Sequence, residues 1–147
     1  MKILLVAHGF EDLDLPEGVG ARQMAEVGKL LNMLIPHESN ICILLTSPSE
    51  SAIKSTSILT AILGLPATIR YWLENDPNIS KRLREIEDWK PNPPQFVIAV
   101  MHHGEVQDII SVFSFLYRLK SKWEAKYGDI YQIDTKAKTI SLLEPAT

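Results

Sequence analysis

Ile3-Leu4-Leu5-Val6-Ala7-His8-Gly9 is a run of five apolar residues closed by an imidazole and a glycine. The run is continuous, not alternating, so both of its faces must be covered, as in a central strand of a parallel sheet. The pattern returns twice. Ile41-Cys42-Ile43-Leu44-Leu45 leads into Thr46-Ser47-Pro48-Ser49, and Phe96-Val97-Ile98-Ala99-Val100-Met101 ends at His102-His103-Gly104. Helical spacing follows each run. Met24, Val27, Leu31 and Leu34 recur over residues 17–34, with Pro36 just beyond. Ala52, Thr56, Leu59 and Leu63 form a stripe that starts after turn and capping residues and stops at Gly64. Val106, Ile109, Phe113 and Leu116 share one face of a helix predicted from about Glu105, and Gly128 breaks the pattern. Residues 77–89 predict a charged surface helix, and Lys90-Pro91-Asn92-Pro93-Pro94 a loop. Two short strands at residues 130–134 and 139–143 flank Thr135-Lys136-Ala137-Lys138, as a hairpin or an edge pairing. Three strand-then-helix units in succession predict a three-layer α/β/α sandwich with a mainly parallel central sheet and right-handed crossovers. The expected organisation is one domain over residues 1–147, with no repeat and no linker.

Composition narrows the function. Of the 147 residues, 46% are apolar and 22% charged, which excludes extended disorder, collagen and coiled coil. Fifteen Lys and Arg face 18 Asp and Glu, a net charge of −3, so no generally basic surface exists to grip nucleic acid. Cys42 is the single cysteine, which excludes an internal disulfide and a Cys-cluster metal site; its apolar neighbours make it a core residue. The first apolar run is shorter than the roughly 7–15 residues of a signal peptide. No run reaches the roughly 18 of a membrane span. The expectation is a soluble, cytoplasmic protein without a membrane partner.

Ligands of open α/β sheets bind just beyond the carboxyl ends of the strands. His8-Gly9, Ser47-Pro48 and His102-His103-Gly104 all fall at that edge in the predicted arrangement. An imidazole there is a nucleophile or proton carrier near neutral pH. Glycine lets a ligand approach the backbone, and a helix starting near Gly104 would turn free amides and the positive end of its dipole toward an anion. Gly18-x-Gly20 does not directly follow a strand and is no dinucleotide fingerprint, and no phosphate loop of the Gly-x-x-x-x-Gly-Lys type occurs. His8 with His102 and His103 lacks an evident carboxylate for a metal, Glu105 being the only near candidate, so neither metal nor cofactor is expected. Trp72, Trp89 and Trp123 occur singly and read as packing residues.

The strand ending in His8-Gly9, the Ser47-Pro48-x-x-x-Ala52 pattern, Val100-x-His102 and, in the first helix, Gly20-x-x-Gln23-x-Ala25 together resemble the histidine phosphatase superfamily. That superfamily includes the phosphoglycerate mutases, and the likeness is to its short, SixA-like phosphohistidine phosphatases. The resemblance implies a phosphoglycerate mutase-like fold, with His8 attacking phosphorus and His102 holding the transferring phosphoryl group. His103 is one residue away, and a shift in alignment would exchange the two. Strand alternation would allow only one of them into the pocket, and Val100 in the preceding apolar slot favours His102. Gly9, Ser51, Lys54 and His103 complete the implied phosphate site.

Two departures bear on activity. The family's Arg-His-Gly is Ala7-His8-Gly9 here, and its second pocket arginine is replaced by Ser51. Phosphoryl transfer depends on positioning and on neutralising the equatorial oxygens, and one lost donor costs on the order of 100-fold. Lys54, one turn beyond Ser51, is a candidate substitute, though a point charge and not a fork. Arg22 and Arg70 are further candidates. Asp12 and Asp14 could approach the pocket, where a carboxylate would repel phosphate. The resemblance therefore implies a degenerate relative that binds a phosphorylated small molecule or a phosphoprotein with little or no turnover. The alternative is an active phosphomonoesterase or phosphohistidine phosphatase working through phospho-His8.

Overall fold

The computed structural model describes residues 1–9, 18–35, 41–89, 92–120 and 123–143. Its three apolar runs lie side by side in one sheet. The strands are β1 (Lys2–Ala7), β2 (Cys42–Thr46), β3 (Ala67–Ile69), β4 (Phe96–Met101), β5 (Ile130–Asp134) and β6 (Thr139–Leu143), in the order β3-β2-β4-β1-β5-β6. The first four are mutually parallel, β5 runs antiparallel to β1, and β6 antiparallel to β5. β4 lies between β1 and β2. Its Val100 is level with Val6 on one side and Thr46 on the other, so the three strands end together. The ladder runs one step further, as the His8 amide donates to the Met101 carbonyl and the Ser47 amide to that of Val100, both at 2.9 Å.

Alternation along the strands divides the core into two layers. Leu4, Val6, Leu44, Ile98 and Val100 face helices α1 (Val19–Leu34) and α2 (Glu50–Leu63), which bury Met24, Val27, Leu31, Ala52, Leu59 and Leu63 against them. Ile3, Leu5, Ala7, Val97, Ala99 and Met101 face the opposite layer, formed by α3 (Ile79–Glu85) and α4 (His103–Leu116). The result is the expected α/β/α sandwich. The C-terminal strands are both a hairpin and an edge pairing: Asp134 accepts the Lys136 and Ala137 amides across the turn while β5 pairs with β1.

Three expectations change. β3 was not predicted; its three residues are all exposed on the sheet edge, so no apolar run announces it. The helix expected over residues 77–89 is helical only over Ile79–Glu85, followed by a 3-10 turn at Ile86–Asp88. It is also no purely surface element, because Ile79, Leu83 and Ile86 are buried beneath its charged outer face. α4 starts at His103, two residues before the predicted start. Pro36, Lys90, Pro91 and the acidic stretch at residues 11–14 lie outside the described residues. Among the described residues no helix is long and apolar enough to cross a membrane.

Candidate functional site

Val6 and Val100 point into the α1/α2 layer, and two residues further along each strand come His8 and His102. Their rings meet across the strand ends, with centroids 5.5 Å apart and planes tilted by 54°. His8 is only 4% exposed, and its Nδ1 is bonded to the Gly9 carbonyl at 2.9 Å. A carbonyl can only accept, so Nδ1 carries the proton and Nε2 keeps the lone pair. Gly9 donates its amide to Ser55 Oγ at 2.9 Å, tying the turn to α2. A Cβ on Gly9 would stand 2.6 Å from the Gly20 carbonyl oxygen of α1. The glycine is needed there for close passage of α1, where the sequence suggested close approach of a ligand.

His102 is the N-cap of α4, and its Nδ1 accepts the Gly104 amide at 3.0 Å. That bond puts the neutral ring's proton on Nε2. Glu105 Oε2 lies 3.4 Å from the same Nδ1. A proton on Nδ1 would oppose the Gly104 amide, so the capping bond describes the neutral ring, and the carboxylate contact becomes an ion pair only on protonation. His103 is the first residue of α4, and its ring lies 4.2 Å from that of His102. The alternation argument for choosing between them does not apply, because β4 stops at Met101 and His103 is already helical; the two rings lie together. Burial lowers the His103 pKa, the neighbouring His102 lowers it further, and Glu105 opposes both.

Tyr127 completes the cluster, 5.6 Å from the His8 ring and edge-on to His103 at 4.8 Å. Its carbonyl accepts from Gln23 Nε2 of α1 at 3.4 Å. The Gly128 amide reaches the carbonyls of Ala7 and His8, at 3.1 and 3.3 Å, with Gly128 at φ +78°. Sequence reasoning missed Tyr127 and Ser55. Gly128 as a pattern breaker was the only signal near the first, and a hydroxyl beside the Ala52–Thr56–Leu59 stripe the only signal of the second.

Ala7 is fully buried in the layer facing α4, so its methyl belongs to the core. Ser51 is half-buried in the first turn of α2. Lys54 pairs with Glu50 at 2.7 Å, one turn back on its own helix. Arg22 is exposed on α1, where it lines a cavity with Gln23 and Tyr127. Arg70 is exposed just after β3, its amide bonded to the Thr46 carbonyl. Asp12 and Asp14 lie outside the described residues. α2 and α4 begin directly after β2 and β4, and α1 begins beside Gly9, so the first turns of all three helices face this edge. Among the described residues no three His, Cys, Asp or Glu side chains are grouped to hold a metal ion. Trp123 packs edge-on against Tyr131, Trp72 under the Arg82 guanidinium, and Trp89 is 42% exposed.

Four parallel strands, helices on both faces and an antiparallel edge hairpin give this chain the phosphoglycerate mutase-like fold of the histidine phosphatases. A mycobacterial glucosyl-3-phosphoglycerate phosphatase, solved with VO3, superposes with a TM-score of 0.72 over 99% of both chains at 12% identity. A protein of Agrobacterium tumefaciens assigned as the phosphohistidine phosphatase SixA has a TM-score of 0.64 at 14% identity, over 98% of this chain and 96% of that one. The phosphoglycerate mutase of Plasmodium falciparum has 0.60 at 15%, over 97% and 88%. No family model matches the chain, and no curated protein does.

Proposed function

We propose that this protein is a degenerate histidine phosphatase-like binder of a phosphorylated small molecule or phosphoprotein. In this reading the crevice between His8 and His102 holds the phosphoryl group, with Gly9, Ser51, Lys54 and His103 around it, and hydrolysis is very slow or absent. The observation that carries the reading is the imidazole pair 5.5 Å apart beside the first turn of α4. His102 Nε2–H is a donor for an equatorial oxygen, and the α4 amides add the positive end of a dipole. The expected guanidinium positions hold a core methyl and a hydroxyl, Ala7 and Ser51. The equatorial charge of a transition state is then poorly neutralised, while a ground-state phosphate is still bound.

One observation favours the alternative, an active phosphatase. The Nδ1 bond to Gly9 puts the proton of the neutral His8 ring on Nδ1 and the lone pair on Nε2, the nitrogen that would attack. A P–N bond would form at Nε2 as the P–O bond to the leaving group breaks, the leaving oxygen taking a proton from solvent. Water would then displace the imidazole from phosphorus, releasing phosphate.

Two measurements separate the readings. Inorganic phosphate is titrated into wild type and His102→Ala by phosphorus NMR, and a labelled phosphodonor is used to trap phosphoprotein in wild type and His8→Ala. Binding that weakens roughly ten-fold in His102→Ala, as expected for one lost hydrogen bond to a charged group, without retained label, supports the binder. Label retained by wild type and lost in His8→Ala establishes the enzyme instead. No phosphate binding overturns both.

A further inference from the structure

Two groups compete for one nitrogen at the start of α4. The Gly104 amide donates to His102 Nδ1 at 3.0 Å, and Glu105 Oε2 lies 3.4 Å from the same atom. The amide needs a lone pair on Nδ1 and the carboxylate needs a proton there, so the two bonds exclude each other. A Cβ on Gly104 would stand 3.0 Å from Nδ1, so glycine is what lets the ring lie this close to the helix start. The Glu105 side chain is 19% exposed, and among the described residues its partner is this ring. Its place three residues after the N-cap brings it back over the capping side chain. With the ring neutral, the Gly104 amide is occupied by the cap. With a proton from solvent on Nδ1, the ring is a cation, Glu105 accepts the new N–H, and the Gly104 amide is released at the helix start. An anion held at Nε2 favours that second state. The other ionisable groups nearby offer Nδ1 no carboxylate. His8 stands at the end of β1 and His103 beside the ring on α4. Tyr127 meets those two imidazoles. On α2, Lys54 and Glu50 pair with each other, and β2 ends in Thr46 and Ser47, which do not titrate. Asp108, one turn beyond Glu105, is exposed and does not contact the ring among the described residues.

We infer that Glu105 is a positioning residue: when an anion binds at His102 Nε2, Glu105 accepts a proton-bearing Nδ1, so that binding takes up a proton and turns the Gly104 amide from the cap to the anion. This inference rests on the reading of the His8–His102 crevice as a phosphate site. The test is made slightly above neutral pH, where an ordinary imidazole starts neutral. Inorganic phosphate is titrated into wild type, Glu105→Gln and Asp108→Asn by calorimetry in two buffers of different ionisation enthalpy. Proton changes of phosphate itself are common to the three proteins. Wild type should take up more protons than Glu105→Gln and bind phosphate about three- to five-fold more tightly, the scale of a half-exposed ion pair. Asp108→Asn should behave as wild type. In nitrogen NMR of wild type, saturating phosphate should move His102 Nδ1 from the signal of a bare nitrogen to that of a protonated one, and shift the Gly104 amide with it. Equal proton uptake in wild type and Glu105→Gln, with phosphate bound, overturns the role of Glu105 alone. An equal loss in Asp108→Asn overturns it too, because the effect is then the general field of the carboxylates. An Nδ1 that stays unprotonated at saturating phosphate overturns it without recourse to a variant. Failure to bind phosphate removes the phosphate reading and this one with it.

Discussion

At the residue scale the candidate site rests on backbone contacts that allow little substitution. Gly9 sits against α1, and a Cβ there would meet the Gly20 carbonyl oxygen at 2.6 Å and Met24 Cγ at 3.0 Å. The nearest atom is backbone, so the strand end must shift and carry His8 with it. Gly9→Ala should cost about 1–3 kcal/mol, as overpacking does, and the loss should appear as a lower denaturant midpoint without a change in slope. His103 gives a pH-dependent expectation. Burial, with His102 adding to it, holds its folded pKa below the usual value of 6.5. Below about pH 6.5 the unfolded chain then binds more protons at this residue than the folded one, so folded stability falls as pH is lowered through that range. His103→Gln should flatten this part of the stability curve, and the imidazole shifts followed by proton NMR should place the His103 midpoint below that of an unstructured histidine.

At the scale of elements, caps and strand ends determine where the chemistry can sit. Ser49 accepts the Ala52 amide at the start of α2, and Ser47 Oγ lies 3.3 Å from Ser49 Oγ. Ser49→Ala should cost about 1 kcal/mol, as loss of an N-cap does, measured by thermal unfolding. β2 gives a chemical probe. Burial raises the Cys42 thiol to about 11, so a thiol reagent at neutral pH should label Cys42 only in denaturant. The parallel core was legible because β1, β2 and β4 are covered on both faces and read as unbroken apolar runs. His8 and His102 were legible because each ends such a run. β3 was not, since an exposed edge strand has no apolar pattern, and the burial of α3 was hidden by its charged outer face. Tyr127 reaches His8 and His103 from a loop far along the chain. Such a contact leaves no local pattern, because it depends on how β5 pairs with β1.

At the scale of the whole molecule, the two core layers meet the strand ends differently, and this makes Ala7 and Ser51, the two positions where the resemblance implies an arginine, unequal. His8 and His102 stand two residues beyond Val6 and Val100 of the α1/α2 layer, whereas Ala7 belongs to the α4 layer, level with Met101 in β4 and in the same core cluster as Val106. Ala7 is 0% exposed, so this layer is closed over its side chain. Ser51 is half-buried in the first turn of α2, next to the exposed Glu50. Arginine introduced at the two positions should therefore have separate consequences. Ser51→Arg adds a charge where solvent and a carboxylate can accommodate it, and its effect on stability should lie within about 0.5 kcal/mol. Ala7→Arg must either bury an unpaired cation or open the strand end, at a cost on the order of 3 kcal/mol. For a chain of this size that cost corresponds to a fall in Tm of roughly 10 °C. Phosphate should return part of the loss by binding only the folded form, and the recovery should grow with phosphate concentration. An Ala7→Arg protein with the wild-type Tm in phosphate-free buffer would mean that the α4 layer is open at Ala7, and that the proposed loss of turnover cannot be assigned to a core closed over this position.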